Sequence, residues 1–121
     1  MSIKFEILDE GNFLKVESSG VCKDLNQLKE YVLAIQNAAL ALDQDRVFVD
    51  ETHLEYKLST MSSFNSGRFV SGLKPQPKKI AVLCRQEGWK DAKFWETVAV
   101  NRGTLVKVFR DRESAREWIC S

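Results

Sequence analysis

The sequence predicts an α/β domain built on a mixed β-sheet, with its elements in the order β-β-α-β-α-β-α-β-α. Three features predict it: an amphipathic stretch over 24–42, short apolar runs at Val47–Val49 and Ile80–Cys84, and an alternating opening of hairpin type. Helical stretches that alternate with buried strands imply parallel pairing through right-handed crossovers. The hairpin adds an antiparallel edge, which makes the sheet mixed.

Ile3, Phe5 and Ile7 alternate with Lys4 and Glu6, the period of a half-buried strand. Asp9-Glu10-Gly11-Asn12 is a turn signal. Leu14, Val16 and Ser18 then alternate with Phe13, Lys15 and Glu17, closing the hairpin at Gly20. Asp24 is placed to cap a helix, since its carboxylate can accept from the unpaired amides of the first turn. Leu25, Leu28, Val32, Ile35, Ala39 and Leu42 follow at steps of three and four and form one stripe. That helix has about five turns.

Arg46-Val47-Phe48-Val49-Asp50 is apolar on both parities, as in a strand covered on both faces. Residues 51–58 read as a connection. Ser59–Leu73 is predicted helical from Met61, Phe64, Phe69 and Leu73, although Gly67 and the serines lower its propensity. Lys79–Cys84 is the next buried strand, and Asp91 is the expected cap of a helix carrying Ala92, Phe94, Trp95, Val98 and Ala99. Gly103 suits the left-handed position after that helix. Leu105–Phe109 is the last strand, and Asp111 caps a terminal helix with Ala115, Trp118 and Ile119 inward. No linker or repeat divides residues 1–121, so one domain is expected.

The 121 residues are 44% hydrophobic and 29% charged, the composition of a folded domain. Eighteen basic residues against seventeen acidic ones leave a net charge of +1, which gives no field to draw nucleic acid or a membrane surface. No apolar run approaches the ~20 residues of a membrane-spanning helix. The charged N-terminus lacks the apolar core of a secretory signal, so a cytoplasmic location is expected. Cys22, Cys84 and Cys120 are widely spaced and read as free thiols in a reducing compartment. With one histidine in the chain, neither a metal site nor a cofactor is expected.

Three segments resemble the STAS-like superfamily of sulphate-transporter and anti-sigma-factor-antagonist domains, in particular its SpoIIAA-like branch of small bacterial proteins. They are the strand Val47-Phe48-Val49-Asp50, the segment Phe94–Gly103, and the ending Val108–Ile119 with its acidic cap and Ala-Trp helix. The resemblance implies helices packed mainly on one face of the sheet. It also implies a functional region at the loop after the third strand and the start of the next helix. In antagonist members a serine there is phosphorylated by a partner kinase, which controls binding. Here Asp50 matches the acid at the strand end, but no Asp-Ser-Ser-Gly follows. Ser59 is the nearest positional equivalent and Ser62 the next.

The residues themselves read more plainly. Ser59 has the position of an N-cap, although a phosphate there would also meet free amides and the positive end of the helix dipole. His53 lies near Asp50, Glu51 and Glu55 but in no nucleophile-base-orienter set, and reads as a solvated loop residue. Trp89 sits in a loop at the carboxyl end of a buried strand, where open α/β sheets bind ligands, and is a contact candidate. Lys74, Lys78 and Lys79 flank prolines without interleaved aromatics, so no nucleic-acid partner is expected. The leading expectation is a non-enzymatic regulatory module that docks a protein partner through 50–63, using Asp50, His53, Ser59 and Ser62. The alternative is a carrier or sensor of a small apolar ligand, with a cavity lined by Phe64, Phe69 and the helix face bearing Trp95. An enzyme using His53 and Asp50 ranks third.

Overall fold

In the computed structural model, which describes residues 3–121, the chain forms a five-stranded sheet with four helices. The elements are β1 (Ile3–Asp9), β2 (Leu14–Cys22), α1 (Leu25–Ala41), β3 (Arg46–Tyr56), α2 (Thr60–Ser71), β4 (Lys79–Leu83), α3 (Trp89–Asn101), β5 (Val106–Phe109) and α4 (Arg112–Cys120). This is the predicted order. β1 pairs antiparallel with β2, and β2, β3, β4 and β5 are successively parallel.

The strands lie in the sheet in chain order. Each crossover therefore moves one strand over in the same direction, and right-handed crossovers made that way place α1, α2 and α3 on one face. Val47, Val49, Ile80, Val82, Val106 and Val108 point toward those helices. The alternate residues Phe48, Ala81, Leu83 and Phe109 point the other way and pack with Ala115 and Ile119 of α4. This two-sided covering is why β3 and β4 read as unbroken apolar runs. Arg46 Nη1 donates to the Ile119 carbonyl at 2.9 Å and Lys79 Nζ to the Trp118 carbonyl at 3.0 Å. Two strand-borne cations thus hold the carbonyl end of α4, where the Trp118 carbonyl also accepts from the Ser121 amide.

Local chemistry sets the helix boundaries. Asp24, Ser59 and Asp111 each accept the amide three residues on, at 2.8, 3.0 and 3.0 Å. Gly103 takes the left-handed conformation, φ +98°, past the end of α3. Three expectations need correction. α3 begins at Trp89 with Gly88 as its cap residue, and Asp91 lies inside its first turn, where its charge favours the amide end of the dipole. β2 runs through Gly20 to Cys22. β3 continues to Tyr56, so 51–56 is strand and not connection.

Gly67 explains how α2 and α3 approach closely despite the weak apolar pattern of α2. A Cβ at Gly67 would lie 2.8 Å from Val98 Cγ1 and 3.0 Å from its Cβ. Valine is stiff at χ1 in a helix and has little room to yield. Gly67→Ala is therefore expected to lower stability by about 1–3 kcal/mol, against the propensity gain of about 1 kcal/mol that alanine brings. Adding Val98→Ala should restore most of the propensity gain, so a double-mutant cycle by urea denaturation should return a coupling of about 1 kcal/mol or more.

Candidate functional site

Strand β3 decides which side chains reach the space beneath α1, α2 and α3. Val47, Val49 and Glu51 point to that side, and Phe48 and Asp50 point to the α4 side. Glu17 pairs with Asp50, but Ser19 pairs with His53, so β3 runs three residues against two of β2. That β-bulge shifts the alternation by one. After it Leu54 and Tyr56 face the helices, while His53 and Glu55 are exposed. Glu51 and Tyr56, which simple alternation would send to opposite faces, reach the same space.

That space is a cavity of about 290 Å³ between the sheet and the three helices. Its walls are mostly aliphatic, including Val32 and Ile35 of α1, Val70 of α2, and Val82 of β4, with Trp95 of α3 as the largest side chain. Solvent reaches it beside Glu55, Tyr56, Glu87 and Asp91, at the carboxyl ends of β3 and β4. A recess of about 220 Å³ adjoins this opening and shares Leu58, Ser63 and Asp91 with it.

Glu51 is a buried acidic residue of the cavity lining, with 9% of its surface exposed. Tyr31 Oη donates to Glu51 Oε2 at 2.9 Å and Tyr56 Oη donates to the same oxygen at 2.8 Å. Tyr31 has one hydroxyl proton, so in its hydrogen bond with Ser18 Oγ the serine donates. The chain Ser18 to Tyr31 to Glu51 ties β2, α1 and β3 together. Tyr56 leaves 40% of its surface open although its hydroxyl is inside. Burial pushes the Glu51 carboxyl up to about 7; the two tyrosine hydrogen bonds oppose the shift and the nearby Asp50 charge adds to it. Burial and the adjoining carboxylate also raise both tyrosines. Burial raises the Cys22 and Cys84 thiols too, which fits inert apolar packing.

Asp50 has the opposite surroundings. Arg112 Nη2 donates to its Oδ2 at 2.6 Å, and the Thr52 hydroxyl and amide donate to Oδ1 at 2.7 and 3.0 Å. Burial alone would raise this carboxyl, but Thr52 and Arg112 together outweigh it and hold Asp50 below its ordinary value. His53 is an exposed strand residue, not a loop residue. Ser59 caps α2 through the Ser62 amide, and the Ser62 hydroxyl lies 3.2 Å from that of Ser59. The two serines stand together on the helix side, and Asp50 on the α4 side, so the anticipated residues do not form one surface. Trp89 is the first residue of α3, half-buried, with the Arg110 guanidinium 4.3 Å and Lys93 Nζ 5.6 Å from its ring centre. Phe64 and Phe69 do not line the cavity, whereas Trp95 does. Glu51, Tyr31 and Tyr56 were not anticipated. The alternation of Thr52, Leu54 and Tyr56 with Glu51, His53 and Glu55 is a strand signal that would have extended β3.

Two outcomes follow. Between about pH 4.5 and 7 folded Glu51 holds a proton that the unfolded chain releases, so stability falls as pH rises through that window and levels off above it. The wild type should lose up to about 3 kcal/mol relative to Glu51→Gln between pH 4.5 and 8 in urea denaturation. Asp50 titrates below its ordinary 3.8 and stays outside that window. Ser59→Ala should lower stability by about 1 kcal/mol, while Ser59→Asp, which can still cap, should change it by only a few tenths (about 0.3 kcal/mol).

No family model matches the sequence, and no curated protein matches it. Among solved structures the chain is similar to an uncharacterized DUF3478-family protein with a SpoIIAA-like fold from Shewanella loihica. The two are 19% identical, with a TM-score of 0.56, over 98% of this chain and 94% of the other. Together with the strand order and the helix layer, this likeness shows that the chain has a SpoIIAA-like fold.

Proposed function

We propose that the chain is a non-catalytic binding module of the STAS type that holds a small, largely apolar molecule between its sheet and its helix layer. The observation that carries this reading is the cavity of about 290 Å³. Protein interiors are close-packed, and the few voids they leave are seldom larger than a water molecule. Unfilled volume lowers stability by about 24 cal/mol per Å³ in engineered cores. A space of this size, walled by aliphatic side chains with a few polar groups converging on it, has the character of a preformed ligand site. Its opening lies at the carboxyl ends of parallel strands, where open α/β sheets bind ligands.

A second reading keeps the partner expected from the sequence. Met61, Phe64 and Phe94 are 66%, 37% and 40% exposed, and Phe94 frames the recess beside the opening. These side chains, with Ser59 and Ser62 at the start of α2, offer a protein partner an apolar contact next to the cavity. Docking there would sense whether the cavity is filled.

Calorimetry with 1-octanol tests the primary reading. The wild type should bind one equivalent, and Ala92→Phe, which places a ring in the cavity from α3, should lose binding while keeping its far-ultraviolet circular dichroism. Met61→Ser, outside the cavity, should leave octanol affinity unchanged. Absence of octanol binding to the wild type up to the solubility limit would overturn the reading.

A further inference from the structure

We infer that the cavity selects a ligand with a cationic amine head on an apolar body, and that Glu51 Oε1 is the atom that receives the head. The inference rests on the cavity being a ligand site and adds the chemistry of what enters it. Both tyrosine hydroxyls donate to Oε2. Among the described residues no donor reaches Oε1, yet no buried polar side-chain atom is sealed off without a partner. Oε1 therefore faces the open volume, on a side chain more than nine-tenths buried. Because Ser18 donates to Tyr31, and Tyr31 and Tyr56 donate to Glu51, the hydroxyl protons at this end are already committed. In its charged form Glu51 therefore offers only an acceptor at Oε1, and it suits a donor.

The charge of the lining points the same way. Among the described residues, Glu51, Glu55, Glu87 and Asp91 line the cavity against a single cation, Arg85. The Arg85 guanidinium already lies 3.6 Å from the Glu87 carboxylate. Among the described residues a carboxylate ligand would find no free cation at the inner end, and it would meet Glu51 as a like charge. An ammonium group would supply the countercharge that a buried carboxylate needs, through a short charge-assisted hydrogen bond. The volume accommodates about ten non-hydrogen atoms at water's liquid share of about 30 Å³ each. A primary amine with an eight-carbon chain fits that size.

The test compares octylamine, 1-octanol and octanoate, equal in chain length, by calorimetry at pH 8 against the wild type and Glu51→Gln. The wild type should bind octylamine about tenfold or more tighter than octanol, with octanoate weakest. Glu51→Gln should remove the amine's advantage over octanol, and because glutamine can still accept from both tyrosines its far-ultraviolet circular dichroism should match that of the wild type. That spectrum reports that the variant has folded. Octanol or octanoate binding as tightly as octylamine, or an amine advantage that survives in Glu51→Gln, would overturn the inference and leave the cavity reading standing. If none of the three binds the wild type, both fall together.

Discussion

A carboxylate held inside an apolar cavity, with two tyrosine hydroxyls on one of its oxygens, is the constraint around which this structure is arranged. Burying a charge without a countercharge is costly, and hydrogen bonds offset only part of that cost. Here the offset comes from Tyr31 on α1 and Tyr56 on β3, with Ser18 of β2 behind Tyr31. The same bonds fix α1 against the middle of the sheet. The polar group and the register of the first helix are therefore parts of one arrangement.

The bulge in β3 makes that arrangement possible and divides two neighbouring acids between two environments. Asp50 faces α4, where Arg112 and Thr52 stabilise its charged form. Glu51 faces the cavity, where burial favours its neutral form. Adjacent residues with carboxyls moved in opposite directions are a direct result of strand alternation between faces of different polarity. The α4 face is closed, with Phe48 only 1% exposed and stacked on Phe13. The opposite face keeps its volume, because α2 and α3 cross at Gly67 and lean on each other rather than filling the space above β3.

Much of the fold was legible because it rests on local rules. The caps at Asp24, Ser59 and Asp111 and the apolar stripe of α1 are each set by a few neighbouring residues. The unbroken apolar runs at 47–49 and 80–84 announced a sheet covered on both sides. The site was less legible, because it depends on one extra residue in one strand. Glu51 fell within 51–58, which reads as a connection, and Tyr31 lay outside the apolar stripe of α1. Only the pairing of Ser19 with His53, a long-range fact, brings Glu51 and Tyr56 to one side. Trp89 was misplaced for a different reason. Gly88 reads as a loop residue, but it caps α3 and begins the helix one residue later.

The cavity's chemistry depends on the state of one carboxyl group. Following the side-chain carbon signal of Glu51 by nuclear magnetic resonance across a pH titration, with and without saturating octylamine, tests it most directly. The free protein should titrate near 7, and the amine should move the midpoint down by stabilising the charged form. A midpoint at the ordinary 4.5, unmoved by the amine, would contradict both the buried carboxylate and its role in the cavity.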